Sequence, residues 1–225
     1  MTTTTVSLTT GWAVGLAAVG AALGAGLGAA LDPLAAWAEG NSLPLPWVLH
    51  LLTRTPRWAE VVVPALVGAA GGLWVWAEWR KDVLQLTVEP DGLIVRQRGQ
   101  ARYAARADVA TVHADGDDLV VLDAHGGQVV RAEADVVLRR AAAALRAADY
   151  PWSDDGDPHA DDWRTWVPGR PGLPEDADDL LRRRRTALQA KEHATLQDLA
   201  DALARAGVAV RDRAGEQQVR TPPAR

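Results

Sequence analysis

Charge is distributed so unevenly along this chain that it limits the possible folds before any other feature is read. Residues 1–79 hold six charged side chains, Asp32, Glu39, Arg54, Arg57, Glu60 and Glu78, while the remaining residues hold 47 of the 53. Two stretches of the first part carry no charge at all, Gly11–Leu31 with 21 residues and Val61–Ala77 with 17. As a helix at 1.5 Å per residue the first is roughly 31 Å long, about the thickness of bilayer hydrocarbon. Trp79 extends the second past Glu78, and Pro64 near its entrance is expected in a first turn, where a missing N–H has no helical partner to lose. Two spanning helices, about 11–31 and 61–79, are therefore expected.

Tryptophan follows the same division. Seven of the ten lie in the first 79 residues, at 12, 37, 47, 58, 74, 76 and 79, and phenylalanine is absent. Indole favours the boundary between lipid and water, where an apolar ring and a polar N–H are both accommodated. Ala36–Trp37–Ala38 fits a cleavage pattern, but Met1–Thr10 contains no Lys or Arg to make the basic region of a secretory signal. A retained anchor is expected. Arg80, Lys81, Arg96 and Arg98 follow the second run, against Arg54 and Arg57 in the connector. By the positive-inside rule both termini face the cytoplasm, in a multi-pass protein of the plasma (inner) membrane. The connector is short, and its Leu43–Leu49 stretch reads as interfacial.

Gly20, Gly24 and Gly28 are spaced four apart, as are Gly68 with Gly72 and Gly11 with Gly15. Such stripes let helix backbones approach closely in lipid. Packing of the first helix on the second is the favoured reading, and a homo-oligomer would use the same spacing.

From Leu84 the apolar period becomes two: Leu84, Leu86 and Val88 alternate with polar residues, Pro90–Asp91–Gly92 turns the chain, and Leu93–Val95 returns it. A strand is expected at Val109–His113 and a second hairpin at Leu119–Leu122 and Val129–Arg131, turning at His125–Gly127. Leu138, Ala141, Leu145 and Ala148 form one helical face, ended by Pro151. Tyr150–Pro151–Trp152 and Trp163–Pro168 have no periodicity and read as a linker with aromatic anchors. Two helices follow, one opened by Pro174–Asp176 and containing Arg182, Arg183, Arg184 and Arg185, the other carrying Leu196, Leu199 and Leu203 and stopping at Gly207. Val208–Val210 and Gln217–Arg220 make a closing hairpin.

The fold class is accordingly α+β, in four parts: a membrane hairpin over 1–82, a small antiparallel β-domain with a C-terminal helix over 83–150, a linker over 151–173, and a helical module with a short β-hairpin over 174–225. The strands followed by one helix resemble a pleckstrin-homology (PH)-like barrel. Ala200–Leu203, Gly207–Asp212 and Gly215 resemble the C-terminal appendix of cysteinyl-tRNA synthetases, although Gln218–Val219–Arg220 stands where that family has a tryptophan. The order of parts resembles the YqeB family of bacterial membrane proteins, which implies architecture and no particular chemistry.

Cysteine is absent, which excludes disulfides, thiolate metal sites and a cysteine nucleophile. No phosphate-cradling glycine loop, H-E-x-x-H or G-x-S-x-G occurs, and the synthetase catalytic motifs are missing. His125 sits at a turn tip, His113 stands beside Asp115, and Asp154, Asp155, Asp157, Asp161 and Asp162 surround His159 without the order of a calcium loop. No enzyme, cofactor or metal is expected. The expected partners are the bilayer and a protein or second copy of the chain. The alternative is a membrane-tethered adaptor for tRNA-like RNA using Arg182–Arg185. Net charge of −5, and ten basic against eight acidic residues from Asp176 onward, argue against nucleic acid.

Overall fold

In the computed structural model, which describes residues 3–40, 56–174 and 176–223, the long uncharged runs are helical. Helix α1 spans Thr10–Gly40 and α2 spans Arg57–Asp82. Within them Thr10–Leu31 and Trp58–Asp82, of 22 and 25 residues, are long and apolar enough to cross a membrane. Val14, Val19, Leu23 and Leu27 of α1 and Leu66, Val67, Leu73 and Val75 of α2 are exposed. The helices thus cover each other along one seam and turn aliphatic side chains outward. Pro64 lies seven residues inside α2, deeper than the first turn expected for it. The Leu43–Leu49 stretch falls outside the described residues.

The hairpin, Leu8–Asp82, is one compact unit; the residues up to Ser7 join the chain from Val83 onward in the other. The reason is a strand that the sequence barely signals. β1 (Thr4–Val6) pairs antiparallel with β2 (Gln85–Val88), placing Val6 opposite Leu86 and Thr5 opposite Thr87. β3 (Gly92–Gln97) and β4 (Gln100–Ala105) complete a sheet in the order β1-β2-β3-β4. A second sheet holds β5 (Thr111–Asp115), β6 (Asp118–Leu122) and β7 (Gln128–Glu133), with helix α3 (Leu138–Ala147) following.

Alternation explains the core. Leu84, Leu86, Val88, Leu93 and Val95 of the first sheet meet Val112, Leu119, Val121 and Val130 of the second, and Val137, Ala141 and Leu145 of the α3 segment close the space. Arg106 donates to the carbonyl oxygens of Ala148 at 3.2 Å and Asp149 at 2.9 Å, satisfying acceptors just beyond the α3 C-terminus. Its guanidinium lies 4.4 Å from the Tyr150 ring centroid, and the Tyr150 hydroxyl donates to the Glu89 carbonyl at 2.9 Å.

The expected linker carries two short strands. β8 (Trp152–Ser153) runs parallel to β5, opposite Val112 and His113, so the second sheet reads β7-β6-β5-β8. β9 (Arg164–Thr165) pairs with β11 (Glu216–Arg220), itself antiparallel to β10 (Ala209–Arg213). Helices α4 (Ala177–Ala190) and α5 (His193–Arg205) pack against this sheet. Their separate core holds Trp166, Ala177, Leu181, Leu203, Val208, Val210 and Val219.

Candidate functional site

Polar groups converge where the second sheet meets the linker and the C-terminal hairpin. In β5, Val112 faces the main core, which sends His113 and Asp115 to the opposite face. His113 is paired with Val120 across the ladder, and both are buried, so this sheet is covered on its second face too. The cover includes Asp157, whose Oδ1 lies 3.7 Å from His113 Nε2, longer than a hydrogen bond.

Asp157 accepts the Trp163 indole N–H at 2.7 Å and the His159 backbone N–H at 2.9 Å. Arg211, from β10 and only 4% exposed, brings Nη1 to 3.2 Å from Asp115 and 3.5 Å from Asp157. Asp115 is also bound by Arg131 of β7, whose Nε reaches Asp118 at 2.9 Å. Trp163 lies beneath two arginines, Arg211 at 4.4 Å and Arg220 at 5.4 Å from its ring centroid. Arg220 donates to the Gly126 carbonyl at 2.7 Å, tying the β6–β7 turn to β11. Arg102 of β4 binds Asp201 of α5 at 2.9 and 3.0 Å, and Gln100 binds Asp198 at 2.8 Å.

Burial holds the His113 imidazole below its ordinary 6.5, against the pull of Asp157 and Asp115, so the ring is neutral near pH 7. Burial alone would raise Asp157. The Trp163 and His159 hydrogen bonds, together with the Arg220 charge and that of His113 once it is protonated, carry its carboxyl below the usual range instead. Asp118 is raised by burial in spite of Arg131. A cavity of about 430 Å³ adjoins the cluster, lined by Asp115, Arg131, Arg184, Arg211, Asp212 and His193 among others. Its walls mix paired charges with Ala132, Leu196, Ala200 and Val210. His113 is 1% exposed, and its Nδ1 has no hydrogen-bond partner among the described residues. The arrangement clamps the linker and C-terminal module onto the β-domain.

The arginine run of α4 does not form one patch. Arg184 is buried and binds Asp212 through both Nη atoms at 2.7 Å and Gln217 at 2.9 Å. Arg182 binds Asp178 at 2.6 Å, Arg185 lies 4.7 Å from the Trp166 ring centroid, and Arg183 is exposed. His125 is at the β6–β7 turn, where Asp123 accepts its backbone N–H at 2.9 Å. The aspartates near His159 are drawn apart: Asp154 to Arg146, Asp157 to Trp163, and Asp162 to His159 at 3.1 Å. Among the described residues no three His, Asp or Glu side chains are grouped to hold a metal.

The hairpin glycines lie along the α1–α2 seam. A Cβ built on Gly20 would strike the Gly68 carbonyl, one on Gly24 the Pro64 carbonyl, one on Gly28 the Glu60 carbonyl, and one on Gly72 the Leu16 carbonyl. Pro64 has no N–H to give the carbonyl four residues back, and that oxygen faces Gly28. Gly15 and Gly26 have nothing within 4 Å, and Gly11 touches only Thr9 at that distance.

The His113–Asp157–Arg211 relation had only an indirect signal in the sequence: a histidine and an arginine within β-periodic runs, each on the parity opposite its strand's apolar core residues.

Residues 4–153 match the family described as YqeB-like bacterial PH domain, a span that includes β1, both hairpin helices, β2–β7 and α3. Residues 170–220 match the cysteinyl-tRNA ligase anticodon binding domain. The Bacillus subtilis (strain 168) "Uncharacterized protein YqeB" is 30% identical over 192 residues, covering 83% of this chain and 78% of the relative. No solved structure matches the chain. The PH-like β-domain, interrupted between its first two strands by an apolar helical hairpin, is thus part of a recognised whole, and the chain belongs to the YqeB-like bacterial PH domain family.

Proposed function

We propose that the hairpin anchors this chain in the plasma membrane and that the soluble unit is a non-enzymatic interaction module on the cytoplasmic side. The observation that carries the reading is the β1–β2 ladder. β1 precedes the first apolar helix and β2 follows the second, yet the two are neighbours in one sheet. An even number of crossings keeps both strands in one compartment. One crossing would part them, and cleavage after Ala38 would remove β1. The paired charges at the clamp support binding rather than catalysis, and Arg80 and Lys81 in the last turn of α2 support a cytoplasmic domain.

Because cysteine is absent, single cysteines can be placed without background. Gly40→Cys and Asp155→Cys, both at exposed positions, are treated in intact cells with a membrane-impermeant maleimide. Position 40 labels at once, and position 155 labels only after the membrane is opened. Recovery of the chain in the supernatant after alkaline extraction, or the reverse labelling pattern, overturns the reading.

The match to an anticodon-binding domain favours a second reading, an RNA-binding module tethered to the membrane. Its basic run is largely committed elsewhere, with Arg184 in the core and Arg182 in an ion pair. A gel shift of the detergent-solubilised chain with bulk tRNA tests it: a complex that weakens steeply with salt would establish it.

A further inference from the structure

We propose that Arg96, Arg139 and Arg140 form a rim that binds the phosphates of anionic lipid headgroups, an inference that rests on the membrane reading above. Covalent reach ties these residues to the ends of the hairpin. Arg140 Nη1 donates to the Ser7 carbonyl at 2.7 Å, and Ser7 is three residues before the start of α1 at Thr10. Three residues span at most roughly 11 Å, which bounds the separation of the Arg140 guanidinium from the chain's point of entry. Arg96 is the ladder partner of Gln85, three residues after the α2 end at Asp82, so one strand spacing is added to the same bound. Both roots of the hairpin therefore have arginine close by, whatever the tilt of the helices.

The side chains suit a charged surface. Arg96, Arg139 and Arg140 are exposed, and Val136, one turn before Arg140, is 42% exposed beside them. The first turn of α3 contains no acid, so Arg139 and Arg140 stand at the positive end of a helix dipole. Asp135 and Glu133 precede that turn, and Asp82 closes α2. Cations placed there gain from anions outside the protein, and a headgroup layer supplies them at the distance that the chain permits. Guanidinium groups bind phosphate oxygens in a bidentate manner, which suits them to this role over lysine.

The spans dominate overall lipid affinity, so the test reads the rim locally. The full chain is placed in nanodiscs of phosphatidylcholine alone, or of an equal mixture with phosphatidylglycerol, and amide exchange of residues 136–147 and 94–97 is followed. In the anionic discs these segments exchange about ten-fold more slowly, a difference removed by high salt. Arg96→Gln with Arg139→Gln abolishes the difference, and the paired lysine variants retain most of it. Equal exchange in both discs, or a difference that survives the glutamine pair, overturns the rim while leaving the anchor intact. A chain that does not float with lipid overturns the anchor, and the rim with it.

Discussion

The guanidinium of Arg211 lies over the indole of Trp163, 4.4 Å from the ring centroid, while the same indole donates its N–H to Asp157. One indole therefore joins Asp157, in the same linker, to Arg211 of the C-terminal hairpin. Trp163→Ala removes a buried ring and leaves Asp157 short of a donor, at a cost of about 3–5 kcal/mol. Trp163→Phe keeps most of the packing and loses the hydrogen bond to a charged acceptor, at about 2 kcal/mol. Chemical denaturation of the detergent-solubilised chain, followed by circular dichroism, should rank the three proteins in that order.

Gly126 has φ +75°, and a Cβ there would lie 2.7 Å from His159 Nε2. Gly99 has φ +77° with nothing within 4 Å. Gly99→Ala should cost about 1–2 kcal/mol for the left-handed backbone alone. Gly126→Ala adds a collision with the His159 ring and should cost about 1–3 kcal/mol more. Equal losses in thermal denaturation would show that the turn is free to move away from His159.

The folded value of His113 is lowered by burial, so below its ordinary 6.5 the unfolded chain takes up protons that the folded chain refuses. Stability contributed by the neutral ring is complete above that value and declines as pH falls through it. Asp157, depressed by its hydrogen bonds, contributes stability that disappears only as pH falls below 3.8. Urea midpoints should therefore fall between about pH 7 and about pH 5 in the native chain, and His113→Gln should flatten that slope.

Within the hairpin, Gly24 and Gly26 are two residues apart and have opposite surroundings. A side chain at 24 meets the Pro64 carbonyl, and one at 26 meets nothing within 4 Å. Gly24→Leu should destabilise the helix pair by about 1–3 kcal/mol. Gly26→Leu should leave the melting midpoint in detergent unchanged. A loss at position 26 that accompanies dissociation of an oligomer would point to a second copy packed on that face.

The hairpin helices, the β2–β3 and β6–β7 pairs, α3 and the two late helices are legible in sequence because each rests on a local pattern: an uncharged run, a period of two, or a period of three to four. β1 is not, since Thr4–Val6 has no alternation long enough to count and its partner is remote. β4 is obscured by Gln100, Arg102 and Tyr103 among alanines, and β8 and β9 are two residues each. Asp157 reads as one of several solvated acids, and Arg184 as one of four equivalent arginines. Only the fold sets them apart, by placing each against a partner from another element.

Thr5 and Thr87 face each other across the first ladder although 82 residues separate them. During translation β1 leaves the ribosome first and must wait on the order of ten seconds before β2 exists. If the hairpin is the proposed anchor, both helices have to be seated in that interval and the chain returned to the compartment where β1 was left. If a helix is skipped or inverted, the strands are stranded on opposite faces of the bilayer and the sheet cannot close. On that reading, completion of the domain inspects the topology of the anchor, and a misinserted chain betrays itself as an open sheet edge that quality-control proteases can seize.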